Sequence, residues 1–235
     1  MTFLALPFEG LAQNLVPNPG FEDHYDCTAD AYYMDNVPYW SAFWSPDYFN
    51  ACVVPDTSSV SIYDVPKNEF GYQYAHQGDA YAGLATYISF NYREHIYIKL
   101  SEQLDSGKSY CTTFFATLAD SSTWATDKIG AYFSPDTLYP EPFQAIPGYP
   151  YNIFTYYIPQ VESATMITDT ANWTIISGAF TAAGNERYVT IGNFRDDAST
   201  DTLRVKNRYS YDVSYYYIDD VSVEEVLNAN AGADR

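Results

Sequence analysis

Thirty carboxylates and twenty-five tyrosines supply most of the chemistry available to this 235-residue chain, against eleven lysines and arginines and three histidines. No arrangement of them spells a familiar catalytic device: Gly-x-Ser-x-Gly, a phosphate-binding Gly-rich loop, His-Glu-x-x-His and Cys-x-x-Cys are all absent from the sequence. His24, His76 and His95 lack metal-ligand spacing. Acid pairs abound, but so acidic a chain produces them without a hydrolase. The expectation is a non-enzyme. Six residues stand out by type and by their loop or strand-end positions: Trp40, Trp44, Tyr48, Asn50, Arg93 and Trp124. Aromatic faces beside an amide and a guanidinium can stack on a ligand and fix its hydroxyls. Arg93 could equally form an ion pair with its neighbour Glu94.

Cys27 and Cys52 both fall in loop-like sequence and are paired in this reading. Such a bridge is worth about 3 kcal/mol in the chain-entropy model, given an oxidising compartment. Cys111 lies in the apolar run Tyr110 to Leu118, where a small buried residue fits, although a bridge through it stays open as an alternative.

The elements that must position these residues read as strands. Runs rich in Tyr, Phe, Val, Ile and Thr recur between clusters of Pro, Gly, Asn, Asp and Ser, which is the signature of an all-β sandwich or barrel. The spacing predicts strands at 81–87, 94–100, 109–119, 128–133, 173–180, 188–194 and 214–226. The stretches 23–68 and 134–170 read as long loops, the second rich in proline, and such loops carry specificity or cover a sheet face. The length suits one large domain over residues 14–226. Residues 1–13 are apolar and end in small side chains, like the tail of a signal peptide, and 227–235 read as a linker to a further C-terminal domain. A net charge of −19 argues against nucleic acid as partner, and no apolar run is long enough for direct membrane insertion.

Two segments at opposite ends of the chain, Asn14-Leu-Val-Pro-Asn-Pro-Gly-Phe-Glu22 and Tyr215-Tyr-Tyr-Ile-Asp-Asp-Val-Ser-Val223, resemble the first and last strands of galactose-binding-like jelly rolls, a group that includes many carbohydrate-binding modules. The resemblance implies a two-sheet antiparallel β-sandwich whose end strands lie side by side. It also implies a structural Ca²⁺ held by Glu22, the Gly78-Asp79 turn, and Asp219 or Asp220. Further segments, among them 45–52, 78–83, 93–96, 104–110, 181–186 and 191–194, are similar to the N-terminal domain of Bacteroidetes cell-surface proteins. In that group an outer-membrane-protein-A-like domain or immunoglobulin-like or polycystic-kidney-disease-type repeats follow, and residues 231–234 resemble the opening of such a repeat. The implied function is a non-catalytic, secreted or cell-surface (or outer-membrane-associated) module that binds a glycan or a cell-surface protein in adhesion. The alternative is a structural or assembly subunit of a surface filament or envelope protein with no sugar ligand. Both place the recognition surface on exposed aromatics.

Overall fold

The computed structural model describes residues 13–27, 33–52, 62–139, 141–142, 152–154, 157–206 and 212–227. The expected signal-peptide tail (apart from Gln13) and linker (apart from Leu227) lie outside them. Strands follow in chain order as β1 (Trp40–Phe43), β2 (Asp47–Asn50), β3 (Ala80–Ile88), β4 (His95–Lys99), β5 (Ser109–Leu118), β6 (Trp124–Thr126) and β7 (Ile129–Ser134). Then come β8 (Glu141–Pro142), β9 (Asn152–Ile153), β10 (Val161–Glu162), β11 (Thr174–Thr181), β12 (Tyr188–Asn193), β13 (Thr202–Arg204) and β14 (Val213–Glu225). Among the described residues a single 3₁₀ turn, at Met34–Asn36, interrupts the β-structure. No helix among the described residues is long and apolar enough to cross a membrane.

Two five-stranded antiparallel sheets, in the orders β1-β4-β12-β7-β10 and β11-β5-β14-β3-β2, face each other as a β-sandwich. Strand alternation dictates what lies between them. Tyr110, Phe114, Ala116 and Leu118 of β5, Ala80, Ala82 and Leu84 of β3, and Tyr216 and Ile218 of β14 point inward and meet Ile96, Ile98, Ala131, Val189 and Ile191 of the opposite sheet. The buried Tyr216 hydroxyl is satisfied by donating to the Ile167 carbonyl at 2.7 Å and accepting the Thr126 N–H at 3.0 Å. Cys111, on the other parity of β5, is half-buried on the outer face of its sheet rather than in the core, which corrects the burial expected for it.

The seven strands expected from the sequence are present within one or two residues of their predicted ends. The two long stretches are not structureless. Residues 23–68 contain β1 and β2, and 134–170 contain β8, β9 and β10. These strands have four residues or fewer, too short for an alternating pattern to emerge, and Ser45-Pro46 between β1 and β2 reads as loop.

The chain ends are clipped together. Leu15 donates its N–H to the Val223 carbonyl (2.9 Å), and the Asn14 side chain bridges the Val223 N–H (3.0 Å) and the Val221 carbonyl (3.1 Å). The opening segment therefore lies beside β14, as the resemblance implies. Cys27 and Cys52 form a disulfide with Cα atoms 5.6 Å apart, tying the N-terminal loop to the end of β2.

The outer face of the second sheet carries its own apolar layer, with Phe49, Tyr81, Ala85, Val213, Tyr215 and Tyr217 buried under residues 62–76. Tyrosine hydroxyls pin that cover: Tyr217 donates to Asn68 Oδ1 (2.7 Å) and Tyr81 to the Gln73 carbonyl (3.0 Å). Gly83 makes room beneath it, since a Cβ there would stand 2.4 Å from Tyr215 Oη and 2.6 Å from a Phe49 ring carbon. Replacing Gly83 by Ala forces two packed rings to move, and is expected to cost about 1–3 kcal/mol in urea denaturation. A change below about 0.5 kcal/mol would show that the layer yields freely.

Candidate functional site

Where the cover of residues 62–76 stops short of the sheet edge, the outer face of β2, β3 and β14 opens into a cleft of about 570 Å³. Alternation explains its lining. Asp47 and Phe49 point outward from β2 because Tyr48 and Asn50 point inward, and Asp47 sits opposite Gly83 in the register with β3. Gly83 and Ala85 keep the floor low. Tyr33, Tyr63, Phe70 and Tyr215 form aromatic walls, and the Phe70 and Tyr215 rings stack 3.9 Å apart and nearly parallel, at 5°.

The polar groups of the cleft are acidic. Asp47 Oδ2 accepts the Tyr215 hydroxyl at 2.6 Å, while among the described residues no donor reaches its Oδ1. Glu94 is 5% exposed. Its Oε1 accepts from the Ser45 and Tyr92 hydroxyls, both at 2.9 Å, and its Oε2 from the Ala85 N–H at 2.8 Å. Asp212 stands at the rim. Burial, reinforced by the charges of Glu94 and Glu69, pushes the Asp47 carboxyl up to about 7 against the opposing hydrogen bond from Tyr215. Burial likewise raises Glu94, whose hydrogen bonds pull the other way. Among the described residues no lysine, arginine or histidine lines the cleft.

Of the six side chains expected at a binding surface, four are internal. Trp40 is 3% exposed, packs 4.7 Å from Phe21 and donates its indole N–H to the Asn18 carbonyl at 2.9 Å. Tyr48 and Asn50 are buried, with the Tyr48 hydroxyl donating to the Phe21 carbonyl at 3.0 Å. Arg93 is 1% exposed, binds Asp197 at 2.9 Å and lies 4.9 Å over the Tyr87 ring. It does not pair with Glu94, because successive residues of extended chain point to opposite sides. These four fill the interior and cannot stack on a ligand. Trp44 and Trp124 do flank the cleft. Trp44 is 41% exposed and lines a second cavity of about 330 Å³ that shares Tyr33 and Ser45 with the first. Trp124 donates its indole N–H to Asp212 at 2.6 Å. Sequence reasoning missed Asp47, Glu94, Tyr63, Phe70 and Tyr215. The signal was available for Asp47 alone, as a carboxylate inside the apolar-aromatic run 47–50.

The acids expected to hold a cation form a separate cluster at the clipped end of the sandwich. A Cβ on Gly20 would lie 3.3 Å from Asp220 Oδ1, 3.7 Å from Asp219 Oδ1 and 3.8 Å from Glu22 Cγ, so the three side chains ring one glycine. Gly78, at φ +69°, leaves space that the Glu22 carboxylate occupies. Glu22 accepts the N–H groups of Asp79 (3.0 Å) and Ala80 (3.2 Å), and Asp219 accepts that of His76 (2.8 Å). His76 Nδ1 also contacts Asp220. Asp79 thus reaches the cluster through its backbone, and its side chain is exposed. Burial and then the neighbouring Asp220 charge push Asp219 up to about 8, and burial raises Glu22. Both Glu22 oxygens and both Asp219 oxygens accept backbone N–H groups, so the main chain holds the cluster, and its ligand atoms are of the oxygen type a hard cation takes.

No family model and no curated protein matches the sequence. Among solved structures, the chain is similar to the CBM22-1 and GH10 modules of Clostridium thermocellum endo-1,4-β-D-xylanase 10B complexed with xylohexaose, at 14% identity and TM-score 0.45, covering 95% of this chain and 30% of that one. It is also similar to the CBM22-1 xylan-binding domain of Paenibacillus barcinonensis Xyn10C, at 12% identity and TM-score 0.45, covering 89% and 93% of the two chains. A third similar structure is the K1 cleaved adhesin domain of Lys-gingipain from Porphyromonas gingivalis W83, at 12% identity and TM-score 0.38, covering 93% and 99%.

Proposed function

We propose that the chain is a non-catalytic carbohydrate-binding module whose ligand lies in the cleft over β2, β3 and β14, with structural Ca²⁺ at the Glu22, Asp219 and Asp220 cluster. The cleft carries the reading. It offers aromatic faces for the C–H surfaces of sugar rings, with Asp47 Oδ1 and the Ser45 and tyrosine hydroxyls to meet ring hydroxyls. A paired-carboxylate hydrolase needs both carboxyl groups free to act as acid and base or nucleophile. Here both Glu94 oxygens are committed to protein donors. The Cys27–Cys52 bridge suits an oxidising compartment, which supports a secreted or cell-surface location. Adhesion to glycan-coated surfaces, and further domains after residue 227, belong to the same reading.

The Ca²⁺ would be held by Glu22, Asp219 and Asp220, where it would neutralise carboxylates that otherwise repel one another and lock the opening segment to β14. It has no part in chemistry on the ligand.

A glycan-array screen of the purified chain in calcium tests the binding site. Retention of a defined set of oligosaccharides is expected, and Phe70→Ala or Tyr63→Ala should weaken it about 3- to 10-fold, the worth of one aromatic contact. A folded chain that retains no glycan overturns the reading.

Thermal melts test the metal. At calcium about a hundredfold over its Kd, linkage gives about 2.7 kcal/mol, or roughly 5–10 °C in Tm for a chain of this size. Chelator should reverse the rise, and Asp219→Asn should abolish it. A Tm indifferent to both calcium and chelator rules the site out.

A further inference from the structure

The cleft combines two properties that a site for neutral sugar does not require together. Its aromatic walls carry negative π-faces, and its charged groups are carboxylates with no basic partner among the described lining residues. Asp47 lines the cavity and its Oδ1 has no protein donor among the described residues, while Asp212 adds a second carboxylate to the lining. Glu94 presses its charge on Asp47 from beneath, yet has no free oxygen for a ligand. Aromatic rings with a carboxylate at their base form the cage that recognises an organic ammonium.

Resting on the carbohydrate reading of the same cleft, we propose that its ligand is an amino sugar bearing a free ammonium group, seated among Tyr33, Tyr63, Phe70 and Tyr215 with the ammonium on Asp47 Oδ1. A cavity of about 570 Å³ exceeds the needs of one alkylammonium tip and accommodates sugar rings. A hard metal ion fits this cleft poorly. Aromatic carbons, which form its walls, cannot ligate it.

The charge state follows from the surroundings of Asp47. Tyr215 of β14 faces it with a hydroxyl, Glu94 before β4 and Glu69 of the covering segment face it with negative charge, and its carboxyl titrates at about 7. An ammonium binds the ionised form, so affinity is present above that value and falls as pH drops through it. A ring amine, like an α-amino group, loses its proton near about pH 8. Affinity for an amino sugar should therefore peak between about 7 and 8, whereas a neutral sugar has no alkaline limb.

Calorimetric titration of the full chain at pH 7.5 with glucosamine hexasaccharide, its fully N-acetylated counterpart and xylohexaose decides the matter. The amino oligomer is expected to bind at least about tenfold tighter than either neutral one, as for a charge-assisted hydrogen bond. Asp47→Asn should bring the ratio near one, and Tyr33→Leu, at an exposed wall position, should reduce it several-fold. Glu102→Gln, an exposed acid away from the cleft, should leave the ratio unchanged and so separate the cage from general attraction to a chain of charge −19. Equal or tighter binding of a neutral oligomer overturns the charge assignment and leaves the carbohydrate reading standing. A preference for the amino oligomer that survives Asp47→Asn in a folded variant, or that Glu102→Gln also removes, overturns it as well. If none of the three binds and the glycan array is also blank, both readings fall together.

Discussion

The phase of β14 is the constraint on which the rest of the molecule depends. This 13-residue strand lies in the centre of the second sheet, between β5 and β3, and period-two alternation sends Tyr216 and Ile218 inward while Tyr215, Tyr217 and Asp219 face out. Were the alternation to continue, Asp220 would enter the core and Val221 would leave it. A register shift between Asp219 and Ser222, with Asp220 at φ +48°, resets the phase so that Val221 and Val223 point inward. The bulge thereby keeps two adjacent carboxylates out of the apolar interior and delivers both to one end of the sandwich. There the opening segment closes over them through Asn14, Leu15 and Pro19.

The same strand organises the cleft. Outward tyrosines on a sheet face would ordinarily be solvated, but here Tyr215 and Tyr217 sit under residues 62–76, with Phe70 stacked on Tyr215 and Asn68 holding the Tyr217 hydroxyl. Gly83 and Ala85 on the neighbouring strand are small enough for that layer to lie close to the sheet. The cleft is the place where the layer ends, so its aromatic walls are continuous with a packed cluster. Walls of that kind are preorganised, and a ligand stacking on them need not order them first.

How much was legible in the sequence follows from this arrangement. Strands of five to thirteen residues announce themselves as runs of Tyr, Phe, Val, Ile and Thr between turn-forming clusters, which is why β3, β4, β5, β7, β11, β12 and β14 are readable from residue types alone. The opening and closing motifs also pointed to the acidic cluster, because its side chains sit within a few residues of two recognisable segments. The cleft was not readable in the same way. It draws Tyr33, Asp47, Tyr63, Phe70, Glu94 and Tyr215 from six separate places in the chain, and their meeting depends on a covering loop with no periodic pattern. A tryptophan in a loop-like stretch carries no label saying whether it faces solvent. Trp40 and Trp44 are four residues apart, one in the core and one at the rim, and the difference lies in β1 ending between them at Phe43, with Trp44 turned to φ +73°.

The two acidic sites also differ in a way that bears on what each can hold. At the bulge, the carboxylates ring a glycine and are fixed by backbone N–H groups, so oxygen is the available ligand atom and the geometry is set by the main chain. In the cleft, the charge sits behind rings, and Glu94 is tethered by Ser45, Tyr92 and Ala85. A small hard cation loses its hydration only where several oxygens replace it at once, and it is at the bulge that three carboxylates gather. An organic cation is large, carries apolar surface of its own and suits aromatic walls. Uncompensated negative charge thus has a different chemical meaning at the two sites. In a chain of net charge −19, total acidity says little about partners, and the atoms that surround each carboxylate decide what it can bind.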